Sequence, residues 1–213
     1  MGGWIAPPRI EVVERRADAV LVRGRVAPLG RVVLRGAGNT AFAAGADETG
    51  RFEVRMPTLG TDSLFVAETR NGQDATPAPY RLLIARDAGG PIALLSPGAP
   101  SRRLDAAGPL DVIDSDGRRL LASGRASPGA VLSVAVAGAP STQVIAGPDG
   151  RWSLALAASG AGPAAVQVEG RTYAYPGPGG GDEGPVLEQA GAGWRSTWTV
   201  SSSARQSSWF PVG

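Results

Sequence analysis

The chain contains no cysteine, no histidine and no lysine. Without Cys there are no disulfides and no thiolate chemistry. With His missing as well, the usual zinc and haem ligand sets and the Ser-His-Asp and Cys-His arrangements are excluded. Absence of Cys leaves the compartment open, since small secreted domains can fold without disulfides. All 21 basic residues are Arg, scattered against 19 Asp and Glu, so a pI near 9.6 reflects a formal charge of only +2. Nucleic-acid binders gather positive charge on one face or stripe, and no such cluster occurs, so no nucleic-acid partner is expected. No apolar run reaches the 18 residues of a membrane helix, and the chain is not expected to span a membrane. The start, Met1 to Pro8, has neither the charged nor the apolar region of a signal peptide; if the protein is exported, its signal does not lie within this sequence.

What is present is a repeat. Residues 10–35 and 110–135 are near copies at an offset of 100: Ile10 with Leu110, Glu11 with Asp111, Val12 with Val112, Val13 with Ile113, Leu21 with Leu121, Gly24-Arg25 with Gly124-Arg125, and Pro28 with Pro128. Gly50-Arg51-Phe52 is matched by Gly150-Arg151-Trp152. A unit of this length exceeds solenoid repeats of roughly 20–50 residues, so each copy can hold its own core. Two tandem domains are expected, not an array.

The apolar pattern has period two. Arg51-Phe52-Glu53-Val54-Arg55-Met56 puts Phe52, Val54 and Met56 on a core face and the charges in water. In the first copy, strands are expected over 11–14, 19–26, 31–35, 40–46, 51–56, 63–69 and 80–85. In the second they are expected over 110–113, 119–126, 131–136, 141–146, 151–156, 165–169 and 194–200. Short strands at this spacing, with 31 Gly and 18 Pro between them, argue for an all-β chain of two antiparallel β-sandwiches. The boundaries read as domain 9–90, a Pro/Gly-rich linker 91–109, domain 110–201 and a tail 202–213.

Val22-Arg23-Gly24-Arg25-Val26-Ala27-Pro28-Leu29-Gly30 and Ala46-Asp47-Glu48-Thr49-Gly50-Arg51-Phe52 carry a family resemblance. So do Gly124-Arg125-Ala126-Ser127-Pro128-Gly129-Ala130-Val131 and Pro148-Asp149-Gly150-Arg151-Trp152. These stretches resemble the bacterial immunoglobulin-like and carboxypeptidase-regulatory-like modules of surface and envelope proteins. The first copy departs from the pattern in reading as if Leu29 were inserted before Gly30. The resemblance implies tandem immunoglobulin-like sandwiches, a periplasmic or cell-surface location, and a non-catalytic role as spacer, adhesion unit or docking surface for an envelope protein. It implies no cofactor and no metal.

Four features could carry chemistry. Asp114-Ser115-Asp116-Gly117 resembles the start of a calcium loop, but Arg125 stands where the final Glu ligand belongs, and a plain turn explains Asp and Gly equally. Asp47 with Glu48, and Glu11 with Glu14, read as solvated strand faces and not as acid–base pairs. Trp194, Trp198, Trp209 and Phe210 crowd the last 20 residues, with Arg195 beside the Trp pair. If the Trp194/Trp198 face closes the second sandwich, these rings are core. If it is open, they are a stacking platform for polysaccharide or an anchor for a protein. The fourth is the stretch from Tyr173 and Tyr175 through Gly184, read as a Gly/Pro-rich insertion unique to the second copy.

Overall fold

The computed structural model describes residues 6–72, 74–156, 161–179, 186–201 and 204–212. Among the described residues every regular element is a strand, and the strands pair antiparallel in several sheets. The chain divides into two compact units, one ending at Ser96 and one starting at Pro97.

The first unit holds β1 (Arg9–Arg15), β2 (Ala19–Arg25), β3 (Arg31–Arg35), β4 (Ala41–Gly45), β5 (Arg51–Pro57), β6 (Ser63–Asn71), β7 (Asp74–Ile84) and β8 (Ile92–Leu95). One sheet runs β1-β2-β5 and the other β4-β3-β6-β7-β8. Phe52, Val54 and Met56 are buried and alternate with exposed Arg51, Glu53 and Arg55, as the period-two pattern requires.

In the second unit β9 (Arg102–Arg103) is followed by β10 (Leu110–Ser115), β11 (Leu120–Arg125), β12 (Val131–Val136), β13 (Thr142–Ile145), β14 (Arg151–Leu156), β15 (Ala164–Val168) and β16 (Arg171–Tyr175). The chain continues with β17 (Glu188–Gln189), β18 (Gly193–Ser201) and β19 (Ala204–Pro211). One sheet runs β14-β11-β10-β19-β18-β17, the other β13-β12-β15-β16. Leu110, Ile113, Trp152 and Trp209 from the first meet Leu132, Val134, Val166 and Tyr175 from the second in one apolar core.

Seven strands therefore recur in the same order: β1-β2-β5 with β4-β3-β6-β7, and β10-β11-β14 with β13-β12-β15-β16. The match extends to defects. Both first strands carry a bulge near the start, at equivalent residues, between Ile10 and Val12 and between Leu110 and Val112. Gly24 pairs with Phe52 and Gly124 with Trp152. A Cβ on either glycine would sit 2.0 Å from a carbonyl oxygen, of Arg9 or Pro109, and 2.9 Å from the aromatic ring. Only glycine admits so close an approach of both the carbonyl and the ring. The expected insertion at Leu29 is absent: Leu29 (φ 59°) occupies the left-handed turn position that Gly129 (φ 76°) holds. The same bond closes both turns, Gly30 N to Ala27 O and Ala130 N to Ser127 O.

Three expected boundaries move. Ile92–Leu95, assigned to the linker 91–109, is a strand buried at all four positions and paired with β7. Ser101 and Arg103, also in that stretch, are buried in the second unit. The tail 202–213 supplies β19, the strand between β10 and β18. The seventh framework strand is β16, not Trp194 to Val200, so Tyr173 and Tyr175 belong to the core and not to an insertion. The later part of that expected insertion, Gly180 to Gly184, lies outside the described residues.

Proline explains where the copies part. β7 runs on past Tyr80, and its residues Arg81 to Ile84 pair with β8. Tyr173 matches Tyr80: the Tyr80 hydroxyl binds Ile10 N and Pro8 O, while that of Tyr173 lies against Gly108. Two residues after Tyr173, β16 ends at Pro176 and Pro178, which have no N–H to extend a ladder. The second unit instead adds β19 to β10 in the opposite layer.

Candidate functional site

The turn joining β10 to β11 is built by its own side chains. Asp116 Oδ1 accepts the backbone N–H groups of Arg119 (2.7 Å) and Arg118 (2.8 Å), and Gly117 takes φ 84°. Those bonds hold the Asp116 carboxyl below its usual range. This is the geometry of the plain turn, not of an alternating set of ion ligands.

Asp114, at the end of β10, is 5% exposed. Its Oδ2 accepts Ser101 N (2.8 Å), and its Oδ1 accepts Ser208 Oγ (2.6 Å) and Gln206 Nε2 (3.1 Å). Burial pushes its carboxyl up, against the lowering effect of the bonds from Ser208 and Ser101. Asp114, Asp116, Gln206, Leu120, Leu121 and the chain at Gly98–Ala99 line a half-open cleft of about 260 Å³. A smaller depression of about 180 Å³ shares Ser115 and Asp116.

The neighbouring Asp111 is 1% exposed and differs in kind. Arg125 binds it with Nε (2.8 Å) and Nη2 (3.1 Å), and Arg151 Nη1 adds a third contact at 3.3 Å. A carboxylate buried against two guanidiniums is a closed structural group. Its counterpart Glu11 lies 3.6 Å from Arg25 with both side chains solvated.

The residues expected to form an aromatic contact are mostly inside. Trp209 is 1% exposed, donates Nε1 to Ala190 O at 2.8 Å and meets Tyr175 edge-on at 5.8 Å. Phe210 and Trp198 are buried, as are Tyr173 and Tyr175, and among the described residues no hydrogen-bond partner meets Trp198 Nε1. Burial pushes the Tyr175 hydroxyl up to about 12. Trp194 is half-buried, and Arg195 pairs with Glu188 at 2.7 Å and donates to Gly177 O at 3.1 Å. Trp194 and Trp198 do share a strand face, but that face is not an open platform. Rings need large apolar burial, and Trp209, Tyr173 and Tyr175 find it in the core of the second unit.

No family model matches the chain, and no curated protein matches it.

The sequence reading passed over the Asp114 network, because its members Ser101, Gln206 and Ser208 lie in stretches read as linker and tail. One signal was present, the alignment of the two copies around Glu14 and Asp114.

Proposed function

We propose that the chain is a non-catalytic structural and protein-interaction module of a bacterial cell envelope, built from two tandem immunoglobulin-like sandwiches. The first copy is scaffold, and the second carries the contact with a partner protein. The observation that carries this reading is the contrast between the copies. They agree in seven strands, their bulge and their glycine–aromatic pairs, yet among the described residues the β18–β19 hairpin belongs to the second alone, and the cleft beside Asp114 lies against it. A framework held so closely serves folding, and what is added to one copy alone is where individual function resides. The resemblance to envelope modules supports the location.

The test is capture from bacterial envelope extract by the immobilised full chain. One retained protein should be lost with Asp116→Arg at the cleft and kept with Arg16→Asp at the matching turn of the first copy. Retention unaffected by Asp116→Arg but abolished by Arg16→Asp, or no retention at all, would overturn the reading.

A further inference from the structure

The two copies treat one acidic position in opposite ways. In the first, Glu14 is ion-paired with Arg16 and with Arg23, the latter at 3.1 Å. The strand registers Val12↔Arg23 and Val112↔Ser123 fix the correspondence. Asp114 therefore stands where Glu14 does, and both its cations are gone: Asp116 replaces Arg16 and Ser123 replaces Arg23. All 21 Arg of the chain are among the described residues, yet Asp114 is met only by the neutral donors of Ser101, Gln206 and Ser208. A buried carboxylate without a cation is costly, whereas the equivalent Glu14 side chain is about a third exposed, so water as well as Arg16 and Arg23 offsets its charge.

We propose that the cleft at Asp114 is a binding site for a cationic group, a guanidinium or ammonium on an aliphatic stem, which supplies the missing counter-charge. The inference deepens the docking role proposed above and rests on it. At about 260 Å³ the cleft falls below the roughly 300–1,000 Å³ of drug-sized ligands and suits a single side chain. Leu120, Leu121 and Ala155 give the stem apolar walls, and Asp114 and Asp116 give the head its charge. Arg119 also lines the cleft; its side chain is exposed, and its charge acts on Asp116 and not on the buried Asp114. A guanidinium fits best, because its planar fork matches a carboxylate while its apolar faces can lie on the leucines.

The experiment is an NMR titration of the full chain with agmatine, with the capped peptide Gly-Gly-Arg-Gly-Gly, and with the same peptide carrying neutral citrulline. The arginine peptide should give saturable amide shifts at Gly98, Ala99, Asp116 and Gln206, and the citrulline peptide should not. Asp114→Asn should weaken binding at least about tenfold, as removal of one partner of a close charge pair does. Asp116→Arg, which restores the first copy's internal cation, should do the same and carries the test if Asp114→Asn fails to fold. Binding of agmatine as tight as that of the peptide would assign the site to a free amine; tighter peptide binding assigns it to a protein side chain. Absent shifts at millimolar peptide, equal shifts with citrulline, or undiminished binding in both variants would overturn the proposal. Envelope capture that depends on the second unit while the probes leave the cleft untouched would sink this site and spare the docking role; bound probes without capture would do the reverse.

Discussion

Leu29 holds a backbone conformation that its counterpart Gly129 adopts at no steric cost, and it does so 75% exposed, with no packing to offset the strain. A left-handed residue with a Cβ costs about 1–2 kcal/mol, and the greater chain entropy of glycine returns part of that. Leu29→Gly should therefore stabilise the first unit by about 0.5–1 kcal/mol, read from slower amide exchange in β2 and β5. Asp114 makes a prediction of opposite character. An unfolded Asp titrates near pH 4, and the folded carboxyl titrates above that. The native state thus keeps its proton longer, so stability is highest in acid and falls as pH rises between the two values. Asp116 and Glu68 are shifted down, so their contributions run the other way, appearing at higher pH and lost in acid. The difference between the native chain and Asp114→Asn isolates the term. Urea midpoints followed by Trp fluorescence should converge in acid and separate at neutral pH, with the native chain losing more. Four of the five Trp residues lie in the second unit, so this signal reports on it.

Among elements, the strands of the shared framework were legible because each couples a period-two pattern to a Gly turn. β5 and β14 show it most clearly, ending hairpins whose Asp47 and Asp149 bond back to their own turns. β8 and β19 were not legible. Ile92–Leu95 is apolar at every position, so it shows no alternation, and Pro91 with Ser96-Pro97-Gly98 made it read as linker. β19 reads Ala-Arg-Gln-Ser-Ser-Trp-Phe-Pro with no apolar–polar alternation, and its place beside β10 is a long-range pairing that no local pattern encodes. Its Trp209 nonetheless holds the second core together. Trp209→Ala should cost about 3–5 kcal/mol, the range for emptying a buried aromatic site. Calorimetry should show a lowered transition for the second unit and an unmoved one for the first.

For the whole molecule, composition and repetition were enough to reach an all-β chain with duplicated parts, since both are properties of the complete sequence. The candidate site was not reachable that way. It is assembled from β10, the 98–101 segment and β19, the last about a hundred residues further along the chain, and is joined by the β10–β19 ladder and by hydrogen bonds through Asp114 and Gln206. The spacing of Asp114 and Asp116 reports a turn and says nothing of what faces it. The point at which β16 stops has one more consequence. With β19 recruited to β10, the second unit shields the long edge of its first strand, whereas β1 has no neighbour on that side among the described residues. That bare rim carries Arg9, Glu11, Glu14, Arg15 and Arg16, charges that an approaching chain would have to strip of water. In the second copy β19 covers the equivalent edge, and the outer strands of that sheet are β14 and the two-residue β17.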